Sequence, residues 1–315
     1  MSDYDIVCIG NAKLDIFLLI HDSNKHFHLN PQTNELSVKS GDKIRVDKSL
    51  FLPGGNAANV AAGLSRIGLK TSIFAEIGDD ELSQKIINSL KEKKVETKHI
   101  QQTKGGEASF SVILSYKNER TIFSQHATRN HNFKLENIVT KWIFLTSIGN
   151  DWKNAYKHVG DYVRKMSCHL AFNPGTLQID AGYAEISAIL KLTDILFVNK
   201  EEAIKILNIK DQKSNINDLL SALQKLGPKS ILITDGKNGS YMIDEHQKIF
   251  QQSALPCEIV EKTGAGDAYT SGFLSATLQN LSKKEAMRWG AMNSSAVIGK
   301  IGAEEGLLTK EQIKQ

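Results

Sequence analysis

The amino-acid sequence predicts a doubly wound α/β fold, a mostly parallel β-sheet flanked by helices, with a small β-sheet projecting from it as a lid. Three observations carry this. Short apolar runs recur between stretches of helical periodicity; several of those stretches carry helix start and stop signals; and two regions, about 16–52 and 107–125, break the rhythm with strand-like segments and polar turns. The apolar runs lie at 6–9, 73–77, 142–146, 170–172, 195–198 and 231–234. A parallel strand covered on both faces reads as a continuous apolar run, and the intervening helix is the crossover that parallel pairing requires.

The helices follow in order. One begins at Asn56, carries Val60, Leu64 and Ile67 at helical spacing, and is closed by Gly68. A second runs over 80–94, acidic at its start and lysine-rich at its end, as the helix dipole favours. A third spans 214–226 and stops at Gly227-Pro228, and a fourth follows Asp267 over 268–278. Within 16–52, the segments 16–20, 35–38 and 43–46 read as strands joined by polar turns rather than by crossovers, so an antiparallel arrangement is expected. Segments 109–115 and 121–123, turning through Lys117, Asn118, Glu119 and Arg120, read as a hairpin that joins the same sheet. Such a projecting sheet has an exposed edge and face, and a second copy of the chain is expected to cover it, giving a homodimer through the lid.

Length and composition narrow the function. At 315 residues and 41% hydrophobic, one main domain over 1–315 with an ample core is expected, and no repeat or low-complexity linker divides the chain. A net charge of +4, drawn from 39 basic and 35 acidic residues spread along the chain, supplies no field for nucleic acid or an anionic membrane. Cys8, Cys168 and Cys257 are few and far apart, which fits a reducing, cytoplasmic setting rather than a disulfide framework. The acidic N-terminus is unlike a signal peptide, and no apolar run approaches the roughly 18 residues of a membrane span. The expected partner is a small molecule.

The chemistry concentrates in three segments. In Thr263-Gly264-Ala265-Gly266-Asp267, small residues leave consecutive amides uncovered at the start of a helix, where unpaired N–H groups and the positive end of the dipole favour an anion. Asp267 stands in the first turn beside that cradle, placed to accept a proton from an attacking hydroxyl or simply to cap the helix. An anion cradle beside a base is the minimum for phosphoryl transfer. Asn11 and Asp15 follow the first strand, at the edge of an α/β sheet where ligands bind, and the Asp15 carboxylate suits sugar-type hydroxyls. In Gly54-Gly55-Asn56-Ala57-Ala58-Asn59, paired glycines permit close backbone approach and the two amides can both donate and accept. Arg120 and Arg129 lie on and just after the lid hairpin, where a guanidinium can meet a carboxylate or phosphate of the substrate. His26 and His28 have no third ligand in sight and read as surface residues.

These segments together resemble the PfkB family of ribokinase-like sugar and nucleoside kinases. The stretch GGNAANVAAGLSRIG over 54–68 is similar to the family's N-terminal signature, and KTGAGDAYTSGFL over 262–274 to its C-terminal one. The resemblance implies a ribokinase-like fold, with Asp267 as general base and the amides of Gly264, Ala265 and Gly266 as anion hole. It implies that Asp15, Gly54, Gly55 and Asn59 hold the acceptor, and that Asn199 and Glu202 form an NxxE motif whose glutamate organises Mg²⁺ through water. It further implies ATP contacts from Thr234, Gly236 and Gly239, from Thr263, and near the adenine from Asn293, Ala296 and Gly302. One departure stands out: Glu261-Lys262 replaces an Asp-Thr pair that helps hold an activating monovalent cation, so weak K⁺ dependence is expected.

The expected function is ATP-dependent phosphorylation of a sugar hydroxymethyl group, as in ribokinase, fructokinase or ketodeoxygluconate kinase. A nucleoside kinase is the alternative, needing an apolar slot that Phe17, Leu19, Phe27 or Phe110 would supply. A catalytically inactive binding protein on the same scaffold has no need of Asp267. A dinucleotide-dependent oxidoreductase lacks its GxGxxG after the first strand.

Overall fold

A computed structural model of the chain describes residues 3–33, 35–117, 119–136, 138–209 and 214–315; Asn118 of the expected hairpin turn lies outside them. The main sheet has eight strands in the spatial order Ile249–Gln252, Ser240–Ile243, Ser230–Thr234, Ile195–Asn199, His169–Phe172, Thr140–Leu145, Tyr4–Ile9 and Thr71–Phe74. The last six pair in parallel. Five of the six expected apolar runs fall on these strands, and the sixth, 73–77, does so only as far as Phe74; the strands are buried almost throughout, for the reason their sequence suggests: both faces are covered. On one face the core includes Trp152, Tyr156 and Val159 of the helix Trp152–Met166; on the other it includes Val60, Leu64, Phe273 and Trp289.

Two features position the site. From Tyr4–Ile9 the chain passes first to Thr71–Phe74 on one side, and later returns at Thr140–Leu145 on the other. The carboxyl ends of such diverging strands frame a crevice. Next, the helix Asn56–Arg66 packs tightly on the helix Ala265–Leu278. A Cβ at Gly63 would meet Ser271, its Cβ 2.7 Å away, so only glycine permits this approach. The two helix N-termini, and with them the two signature segments, thereby meet. The helix Ala265–Leu278 is buried from Asp267 through Ala276 and so shows no polar stripe.

The smaller sheet departs from expectation in three ways. It is mixed rather than antiparallel: Lys13–Leu19 pairs antiparallel with Lys48–Gly54 but parallel with Phe110–Tyr116, which pairs in turn with Glu119–Gln125. Segment 43–46 is not a strand; Ile44 and Val46 alternate because both pack on the cluster of Ile20, Phe27 and Tyr116, and the pairing strand comes later, ending at Gly54 opposite Lys13. Glu35–Val38 is a strand, yet it pairs with Phe27–Asn30 in a separate ribbon. In the main sheet, Ser240–Ile243 and Ile249–Gln252 form an antiparallel edge that the sequence did not announce, the outer strand, Ile-Phe-Gln-Gln, being half-exposed. The run 73–77 is divided, with Glu76–Ile77 pairing outside the main sheet.

Candidate active site

Two adjoining cavities, of about 260 and 200 Å³, open at the crevice and share Asn56, Arg120, Gly264 and Asp267. Larger hollows follow the helix Trp152–Met166 and share no residue with these two. Asp267 stands on the common wall. It is the third residue of the helix Ala265–Leu278, whose cap Gly264 adopts φ 80°, a left-handed conformation suited to glycine. A Cβ at Gly264 would strike Ala303, its Cα 2.6 Å away, whereas a Cβ at Gly266 would meet nothing within 4 Å. The loop is therefore rigidly backed at Gly264 and open to the larger cavity at Gly266.

The Asp267 carboxylate is buried, and both its oxygens accept amide hydrogens, Oδ1 from Asn56 (3.1 Å) and Oδ2 from Asn59 (2.8 Å). Asn56 is itself oriented, because its Oδ1 accepts from Ser147 Oγ at 2.8 Å, and Asn11 donates to that hydroxyl at 3.3 Å. Burial lifts the Asp267 carboxyl to about 6, against the two amide bonds and the nearby Lys13, which favour the charged form. A carboxylate so tuned is basic enough to take a proton and still ionised at neutral pH.

The smaller cavity is walled by the smaller sheet. Asp15 is buried, its Oδ1 without a partner, and burial raises its pKa. Gly54 is glycine because a Cβ there would overlap the Asp15 carboxylate; Gly55, at φ 97°, would strike Asn11 O at 2.6 Å. Lys13, Ser111, Ile113 and Ile122 complete the wall with Asn59, whose Oδ1 is also unpartnered. Arg120 reaches across from Glu119–Gln125 to lie 3.8 Å from Glu261, and Glu119 pairs with Lys262 at 3.4 Å.

The larger cavity takes in Asn173, Asn199, Glu202, Thr234, Lys262 and the Gly264 to Gly266 loop. Asn199 and Glu202 form a reciprocal cap at the helix Lys200–Ile206. Burial raises Glu202 to about 7, the Asn199 amide opposing and the Asp267 charge adding. Among the described residues no cluster of three or more His, Cys, Asp or Glu can hold a metal. Glu202, with Asp267 as the second carboxylate bordering the larger cavity, nevertheless fits Mg²⁺, which keeps its waters and takes one or two carboxylates.

Several expected residues stand elsewhere. Arg129 is buried with its guanidinium on the carbonyls of Glu107 and Thr128, and borders neither cavity. Asn293 is fully buried, donating to Ala268 O and Ser271 Oγ and accepting from Leu308 N, so it staples helices together rather than facing a ligand. Gly302 packs on Leu52, Gly239 on Gln252 of the edge strand, and neither these nor Gly236 and Ala296 border the cavity. Thr263 borders the smaller cavity rather than the larger, and turns both its N–H and hydroxyl to Glu261 (2.9 and 2.8 Å).

A family model describing pfkB family carbohydrate kinases matches residues 17–310. The chain belongs to this family. Its relatives include the 5-dehydro-2-deoxygluconokinase of Clostridium perfringens, 24% identical over 83% of this chain and 82% of that protein. The nucleoside kinase of Methanothermobacter thermautotrophicus is 24% identical over 100% of this chain and 96% of that one. Among solved structures, Arabidopsis thaliana ribokinase complexed with ribose and ATP superposes with a TM-score of 0.83 at 20% identity, covering 100% of this chain and 98% of that one. The fold is ribokinase-like.

In this pfkB-family site, Lys13, Ser111 and Ser147 were missed by sequence reasoning. Lys13 had a signal, since residues two apart on a strand share a face and Asp15 was already assigned to the ligand. Ser147 had a weaker one, following an inner strand at its carboxyl end. Burial raises three carboxyls at the cavities, Asp15, Glu202 (to about 7) and Asp267 (to about 6). A reaction that uses the ionised forms of Glu202 and Asp267 is expected to lose kcat/KM as pH drops through about 7 and again through about 6. Glu202→Gln should leave one limb, near 6; a pH profile of the variant with two limbs would refute the assignment.

Proposed function

We propose that this pfkB-family protein is a cytoplasmic kinase that transfers the γ-phosphoryl group of ATP to a hydroxymethyl group of a sugar. One observation carries the reading: a buried, polarised carboxylate, Asp267, stands on the wall between two cavities, at the start of a helix whose N-terminal amides open into the larger one. ATP phosphates in the larger cavity and an acceptor hydroxyl in the smaller one would meet there. Asp267 takes the hydroxyl proton, and the amides from Gly264 to Gly266 stabilise charge on the transferred group. Glu202 holds Mg²⁺ through water, and the ion when bound neutralises phosphate charge. The smaller sheet acts as a lid that excludes water.

Sugar is favoured over nucleoside because the smaller cavity is bordered by polar side chains and two isoleucines. Phe17 and Phe27 are buried in packing, and neither they, Leu19 nor Phe110 borders the cavity. The test is ADP release from ATP across ribose, fructose, 2-keto-3-deoxygluconate, a hexose phosphate, adenosine and guanosine. Release that depends on a sugar supports the reading. Tight ligand binding without release from any acceptor would point instead to a binding protein.

The strand Glu119–Gln125 is exposed along its whole length, an open edge carrying two exposed apolar side chains, Ile122 at 46% and Phe123 at 60%, that a second copy would cover. Phe123→Asp is expected to convert a dimer to monomer in light scattering; a monomeric wild type would sink the proposal. Both Glu261 oxygens approach Thr263 or Arg120, which leaves little for a monovalent ion. Turnover is expected to change little when K⁺ replaces choline at constant ionic strength, and a large rise would refute this.

A further inference from the structure

Two cations border the proposed acceptor cavity, and neither is hydrogen-bonded to a carboxylate. Lys13 donates to Ser111 Oγ (2.7 Å) and Ser124 Oγ (3.2 Å), both neutral, and makes no ion pair among the described residues. An ammonium has three N–H bonds, so one is left for a ligand. Arg120 lies 3.8 Å from Glu261, beyond hydrogen-bonding distance, and the same Glu261 oxygen already accepts from Thr263 Oγ1. Lys13 and Asp15 share a face of one strand. They are held apart: Asp15 packs against Gly54, while the Lys13 stem reaches across Ser111 to Ser124, which are cross-strand partners.

We infer that the acceptor is an anionic sugar, carrying a carboxylate or phosphate that meets Lys13 and Arg120 while its reacting hydroxyl faces Asp267. The inference rests on the kinase reading above. A neutral sugar gives both cations only hydroxyl lone pairs, whereas an anionic oxygen group forms charge-assisted bonds, bidentate with a guanidinium. Asp15 and Asp267 border the same cavity and repel an anion placed against them. The charge therefore also selects orientation: the hydroxyl end turns to the carboxylates, and the anionic end to the cations.

The experiment compares kcat/KM, by ADP release, for matched pairs with the full chain. The carboxylate pair is 2-keto-3-deoxygluconate against 3-deoxyfructose, and the phosphate pair is fructose 6-phosphate against fructose. In at least one pair the anionic member is expected to be preferred by about 10- to 100-fold, the worth of a charged hydrogen bond, and the pair that shows it identifies the group. Lys13→Met should collapse that ratio, and so should Arg120→Met, a half-exposed position that keeps the test open should the first variant fold poorly. A ratio has the further merit that misfolded protein lowers both terms equally. Neutral sugars turned over as well as anionic ones would overturn the inference and leave the kinase standing. An anionic preference unmoved by both variants would overturn the role of these cations. Turnover of nucleosides alone would overturn the sugar reading itself.

Discussion

Asp267→Asn is expected to lower kcat by a factor on the order of 10² or more while leaving ATP binding nearly intact. The carboxylate sits where two cavities join, and no other described carboxylate stands on that shared wall. Asp15 borders only the smaller cavity and Glu202 only the larger, so neither is placed to take over the proton. The substitution also has a structural cost. Asn56 and Asn59 each donate to one carboxylate oxygen, and an amide in that place turns one acceptor into a donor facing a donor. Stability should fall modestly, which is why ATP affinity is measured directly, by titration calorimetry or a fluorescent analogue, alongside kcat. The variant should also lose the limb near pH 6 from its residual activity. Turnover within about tenfold of wild type, with that limb retained, would overturn the base assignment.

The parts of the site that were legible in the sequence are those where local structure alone fixes the geometry. The Gly264 to Asp267 segment opens a helix, and a helix start presents its amides wherever the helix goes. Gly54 and Gly55 likewise announced close approach, though not that the approaching group is Asp15 or the Asn11 carbonyl. Asn59 was expected at the acceptor and does border that cavity, but its donor atom belongs to Asp267, a contact spanning 208 residues that no spacing rule reveals. The same holds for Ser147, which reaches Asp267 only through Asn56. Arg129 shows the converse failure. Position near the hairpin suggested a ligand, yet the chain turns it inward to bind two carbonyls. In the fold, central strands were readable because burial on both faces makes them continuously apolar, whereas register and edge pairing, as in Lys48–Gly54, depend on partners far away in sequence.

Gly264→Ala and Gly266→Ala are both expected to lose activity but to differ in stability, and the pair separates scaffold from phosphate cradle. At Gly264 the backbone is left-handed, which costs an alanine about 1–2 kcal/mol, and the new Cβ overlaps Ala303, whose backbone cannot swing aside. Overpacking of that kind adds about 1–3 kcal/mol, so Gly264→Ala should lose both stability and activity. Gly266 lies inside the helix with ordinary geometry, and its missing Cβ points into open space within the larger cavity. Alanine is the better helix former by about 1 kcal/mol, so Gly266→Ala should melt no lower than wild type. Its methyl group would occupy space beside the amides, where a phosphoryl oxygen has to approach within hydrogen-bonding distance. Loss of a single anion-hole contact commonly costs about 10²–10³ in kcat, and an effect of that order is expected. Thermal denaturation and steady-state kinetics on the two variants decide the matter: a Gly266→Ala protein as stable and as active as wild type would mean that the cradle is empty during turnover and that the phosphate is held elsewhere.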